Sequence, residues 1–157
     1  GFSFIGWARP VQVTPAAFNR RVSMRSGMVL VAIAGPLSNL ALATLSVAAL
    51  ALIMRVSPEM MFAQDGRGAL VYLLRAMYVL NVGLFVFNLL PIPPLDGSRL
   101  LPRRLDSLQE TLAPMSILLL LMVLYSNVLR TWLIERPVRF VGGGLESLFA
   151  LPARVLS

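Results

Sequence analysis

The sequence has 157 residues, 57% of them hydrophobic and 13% charged, and its mean hydropathy is +0.78. That balance lies outside the range of soluble globular domains and places the chain in a lipid bilayer. Fourteen basic residues, all arginine, against seven acidic ones give a net charge of +7. They stand in short clusters between apolar runs, not on the continuous basic face that a phosphate backbone requires, which excludes a nucleic-acid partner.

In chain order, residues 1–27 form a segment distinct from the rest. Residues 1–13 are rich in aromatic and β-branched side chains, with Val11 and Val13 alternating and Gly6 and Pro10 as punctuation, which predicts a short strand or hairpin. The sequence opens on Gly1 without the pattern of a signal peptide and is read as part of a longer protein. Residues 28–54 contain no charge. As a helix they reach roughly 40 Å, more than the ~30 Å hydrocarbon core, and make the first predicted span. Pro36 stands in its first third, where a kink or a late helix start is expected.

Residues 69–90 make the second span, with its single charge, Arg75, expected to reach the headgroups. Residues 113–134 make the third, with Arg130 near its far end. Arginines near the span ends alternate in number: Arg20, Arg21 and Arg25, then Arg55 and Arg67, then Arg99, Arg103 and Arg104. The positive-inside rule then puts the loop around Asp96 on the cytoplasmic side. Gly142, Gly143 and Gly144 are expected to break the chain, leaving residues 140–157 as a short segment along the membrane interface. The whole reads as one all-α membrane domain of about three transmembrane helices, with an N-terminal strand or hairpin.

The chemistry concentrates at one place. Asn81 and Asn88 lie two helical turns apart and project from one face of the second span, where amides commonly bond a neighbouring helix. After Asn88 come Leu89, Leu90, Pro91, Ile92, Pro93, Pro94, Leu95, Asp96 and Gly97. Three prolines in four positions remove backbone donors and end the helix. Non-helical backbone at membrane depth persists only inside protein or against a water-containing cavity. A carboxylate at such an edge must be paired, protonated or bound to a cation, and Arg99 is a possible partner for Asp96.

Residues 88–97 resemble, over ten consecutive positions, the asparagine-to-aspartate motif of the site-2 proteases, the intramembrane zinc metalloproteases of peptidase family M50. Ala34-Gly35-Pro36-Leu37-Ser38-Asn39 is similar to that family's A-G-P-x-x-N, and Gly6-Trp7-Ala8-Arg9-Pro10-Val11 to its preceding strand. The resemblance implies that Asp96 is a zinc ligand and that Asn88 orients substrate or stabilises the oxyanion. Gly35, Pro36, Asn39, Pro91, Pro93 and Gly97 are expected to support the site; the small face of Ala34, Gly35, Ser38, Asn39 and Ala43 permits close helix approach, and from that spacing Asn39 is expected to brace the motif helix. The family takes its other two ligands and its base from H-E-x-x-H on an earlier helix, and this sequence contains no histidine. Those groups, and the one Zn²⁺ they complete, are therefore expected from outside the 157 residues, and the chain alone is expected to be inactive.

The implied activity is hydrolysis of peptide bonds in membrane-embedded protein substrates, in a bacterial cell membrane. Two other readings stand beside it: a catalytically dead scaffold or regulator of the same fold, and a transporter fragment, since broken helices also build ion sites.

Overall fold

The computed structural model describes residues 23–63 and 65–150, and every regular element among them is helical. The predicted strand of residues 1–13 lies outside the described residues, as do residues 151–157.

Helix α1 (Met24–Val56) starts at Ser23, an extended N-cap whose hydroxyl accepts from the Ser26 N–H at 3.1 Å. Its 33 residues extend roughly 50 Å. Pro36 neither breaks nor delays it. The ring removes the donor that the Ala32 carbonyl would otherwise meet, and the hydroxyl of Ser38 donates to the carbonyls of Ala34 and Gly35 at 2.6 and 2.9 Å. Thr44 and Ser46 donate likewise to Leu40 and Leu42, so the helix's own hydroxyls find partners without water, as lipid demands.

Helix α2 (Gly66–Asn88) is capped by Asp65, whose carboxylate accepts from the Arg67 N–H at 2.9 Å. A short connection through a 3-10 turn (Pro58–Phe62) turns the chain back, so α1 and α2 pack antiparallel. From α1, Ala43, Val47 and Leu50 enter the core; from α2, Val71, Tyr78 and Val82. Their spacings of three, four and seven residues are the one-face repeat of a helix. Small residues on α1 let the backbones approach closely.

Two expectations on α2 are corrected. Asn81 does not bond a neighbouring helix: its amide donates to the Met77 carbonyl on its own helix at 2.7 Å. Arg75 stands near the middle of α2 rather than near an end, with its Nε buried and without a hydrogen-bond partner among the described residues.

The third span is not one helix over residues 113–134. Helices α3 (Asp106–Leu112) and α4 (Ser116–Tyr125) are followed by α5 (Asn127–Arg130), a π turn (Thr131–Glu135) and α6 (Arg136–Leu148). The segments Glu110–Tyr125 and Asn127–Leu148 meet at 85°. The break falls at Ser126, whose backbone is extended and whose hydroxyl accepts from the Leu129 N–H at 3.4 Å, capping a new helix. Among the described residues two helices are long and apolar enough to cross a membrane, or three if the bent pair counts as one.

Nor do Gly142, Gly143 and Gly144 break the chain; they lie within α6. Gly142 is where Tyr78 crosses: a Cβ there would stand 2.7 Å from the Tyr78 hydroxyl, which donates to Glu146 Oε1 at 2.9 Å. Val138, Val141, Leu145 and Phe149 pack on the core, so the described part of the expected interfacial segment docks on α1 and α2.

Candidate functional site

Helix α1 is ten residues longer than α2, about 15 Å, and the two share one end. The C-terminus of α2 therefore falls beside Gly35, leaving the first turns of α1 for the chain after Asn88 to pack against. That chain is a series of turns closed on themselves: the N–H groups of Leu89, Leu90, Leu95 and Ser98 donate to the carbonyls of Val86, Phe87, Ile92 and Leu95 at 2.9–3.1 Å. The prolines take no part as donors, as their chemistry requires. The Pro93–Pro94 peptide is cis.

Gly97 closes the loop. A Cβ on it would overlap the carbonyl of Leu89 and stand against that of Leu90, so only glycine lets the chain return to the end of α2. Asn88 and Asp96 are each one residue from this contact. With 3.8 Å between successive Cα atoms, their backbones lie on the order of 10 Å apart. Asn88 is the last residue of α2 and is half-buried, as is Asp96, which opens a 3-10 turn (Asp96–Leu100).

The Asp96 carboxylate rests against α1. A Cβ built on Gly35 would lie 2.8 Å from Asp96 Oδ2. Glycine at position 35 is thus the space that the carboxylate occupies, and buried Pro36 follows it on the same helix. Asp96 forms no ion pair with Arg99; the ion pairs among the described residues are Arg67 with Asp65 and Arg130 with Glu135. At the far end of the loop, Arg25 Nη2 donates to the Leu101 carbonyl at 2.8 Å. Gly35 lies about 15 Å along α1 from Arg25, so the carboxylate is held well inside the apolar stretch that begins at Met28.

The structure thus brings Gly35, Asp96 and Gly97 together with the end of α2 that carries Asn88. Asn39 lies one turn further along α1 and is half-buried. Pro91 is exposed and Pro93 half-buried, at the bend rather than against the carboxylate. Trp7 and Arg9 lie outside the described residues. The groups that sequence reasoning missed are the carbonyls of Leu89 and Leu90, which act through the backbone and carry no side-chain signal.

A carboxylate with no ion-pair partner among the described residues, in a cradle that a single methyl group would fill, fits one ligand of a metal ion. It is one ligand only: among the described residues no three His, Cys, Asp or Glu side chains lie together.

Residues 52–125 match the model of peptidase family M50, a stretch that contains the whole of the 88–97 motif. Over 96 residues the chain is 43% identical to a protein of Bacillus subtilis (strain 168) named "Putative zinc metalloprotease YwhC". The match covers 61% of this chain and 42% of that relative, so the chain spans about two fifths of the relative's length. No solved structure matches.

Proposed function

Because the chain belongs to peptidase family M50, we propose that it is the motif-bearing part of a site-2-protease-like intramembrane zinc endopeptidase, with Asp96 as one zinc ligand and Asn88 as the amide that meets the developing oxyanion. The observation that carries this reading is the Asp96 carboxylate set against Gly35, with no ion-pair partner among the described residues. An isolated carboxylate at this depth is unfavourable unless something of opposite charge compensates it.

When bound, zinc supplies a Lewis acid that lowers the pKa of water and polarises a carbonyl. The residues of this chain do the rest. Asp96 holds one ligand position, and Gly35 and Gly97 fix where its carboxylate stands. Asn88 donates an N–H toward the carbonyl oxygen as negative charge develops there. A neutral donor suffices because the surrounding apolar side chains keep water scarce and the local dielectric low. The remaining ligands and the general base come from residues outside these 157, and the chain by itself is inactive.

The substrate is a protein segment in or next to the membrane. The loop around Asp96 faces the cytoplasm of a bacterial cell: the Arg25 bond to Leu101 ties the first turn of α1 to the loop that carries Arg99, Arg103 and Arg104, and the positive-inside rule assigns the arginine-rich side to the cytoplasm.

The test is cleavage by the full-length protein in proteoliposomes. Wild-type protein cleaves a transmembrane reporter, loses activity to a zinc chelator and regains it with added zinc, while Asp96→Asn is inactive throughout. Equal cleavage by Asp96→Asn overturns the reading. The sequence also keeps a second reading in play, because it contains no histidine. A scaffold of the same fold cleaves nothing, binds no zinc, and associates with membrane partners unchanged by Asp96→Asn.

A further inference from the structure

A groove of about 230 Å³ lies between the ends of α1 and α6, lined by Ala48, Ala51, Leu52 and Arg55 from α1 and by Leu148 and Phe149 from α6. The spacing of the four α1 residues puts them on one face of the helix. Phe149 ends α6 and packs on the core, while Leu148 is exposed. Arg55 stands twenty residues beyond Gly35, about 30 Å along α1, so the groove lies at the opposite end of that helix from the Asp96 carboxylate.

The groove has a polarity. Residues 28–54 carry no charge, and Arg55 is the first residue after them that does. Ala48, Ala51 and Leu52 therefore stand at hydrocarbon depth and Arg55 at its border, where the stem of an arginine lies along apolar surface and its head reaches the phosphates. Arg55 is exposed and belongs to no ion pair among the described residues. Glu59, four residues on, is not paired with it, and Glu146 of α6 accepts from the Tyr78 hydroxyl instead. A free cation thus stands above an apolar wall, the order in which a phospholipid carries its phosphate above its acyl chains. The size agrees as well: an apolar cavity of roughly 150 Å³ holds a benzene ring, so this groove takes a stretch of one acyl chain. It does not take a protein helix, which is about 10 Å across.

We propose that this groove binds one anionic phospholipid, with its phosphate on the Arg55 guanidinium and one acyl chain along Ala48, Ala51 and Leu52 against Leu148 and Phe149. The guanidinium suits the phosphate because its planar fork donates two parallel hydrogen bonds. A zwitterionic headgroup offers the same phosphate but brings a cation of its own beside Arg55, so the site selects net negative charge. The bound lipid touches both α1 and the end of α6 and holds the two together. The proposal stands independently of the zinc site.

The test is native mass spectrometry of the full-length protein in detergent, given equal amounts of phosphatidylglycerol and phosphatidylcholine with the same acyl chains. Wild-type protein retains one phosphatidylglycerol in preference to phosphatidylcholine by about fivefold, the weight of one basic residue at an anionic membrane surface. Arg55→Gln, a change at an exposed position, abolishes the preference. Arg67→Gln, which removes an exposed arginine already paired with Asp65, keeps it. Ala48→Leu crowds the apolar wall and lowers retention of both lipids. An excess of inorganic phosphate leaves the bound lipid in place; its displacement would make this a site for free phosphate and overturn the proposal. Equal retention of the two lipids by wild type, an unchanged preference in Arg55→Gln, or full retention in Ala48→Leu would each overturn it as well.

Discussion

Gly35→Ala tests the geometry of the site one atom at a time. The added Cβ would sit 2.8 Å from Asp96 Oδ2, whereas ordinary contact begins at 3.4 Å, so the carboxylate retreats by about 0.6 Å. It can do so cheaply, because the atom met is the end of a side chain rather than backbone. Metal-ligand distances, however, tolerate only about 0.2 Å. Zinc affinity of the full-length protein is therefore expected to fall by roughly 10–100-fold, the scale of changes in groups that position a ligand. Folding stability should hold or rise, since alanine replaces glycine within a helix, worth up to about 1 kcal/mol. Gly83→Ala is the control: nothing lies within 4 Å of its added Cβ, and it shares the helix gain without the collision. The assay is competitive zinc titration with a chelating dye, beside thermal unfolding in detergent. Wild-type zinc affinity in Gly35→Ala would refute the cradle, and a parallel loss in Gly83→Ala would show that the effect comes from the helix.

Gly97→Ala meets backbone rather than a side chain, the carbonyls of Leu89 and Leu90, and is expected to cost about 1–3 kcal/mol or more, read as a lower unfolding temperature. Tyr78→Phe removes the bond to Glu146 that fastens α6, at about 0.6–2 kcal/mol, and limited proteolysis should then release α6 sooner. Gly142→Val pushes the Tyr78 hydroxyl out of the same joint and should lower the unfolding temperature further than Tyr78→Phe. Asp65→Ala removes the cap of α2, far from the site, and should cost about 1 kcal/mol of stability without changing zinc affinity.

The first two helices were legible because residues 28–54 carry no charge and residues 69–90 only one, and lipid leaves such runs no alternative to a helix. What composition hides is how a residue's local partners override its usual meaning. Pro36 reads as a breaker, yet Ser38 bonds two neighbouring carbonyls and the helix continues. The glycines of α6 read as a break, yet Gly142 is small because Tyr78 crosses there. Ser126 bends the third run by capping a new helix inside an apolar stretch, where the hydropathy signal stays level. At the site, the prolines announced the end of α2, and the motif singled out Asp96. The contact between Asp96 and Gly35, some sixty residues apart, follows from the unequal lengths of α1 and α2, which sequence periodicity alone does not fix.

The central claim is that Asp96 holds zinc. Purified full-length protein, loaded with zinc, freed of excess metal and analysed by inductively coupled plasma mass spectrometry, should carry about one zinc per chain, and Asp96→Asn under the same treatment should carry far less. Equal zinc in the two proteins, or none in either, would contradict the account.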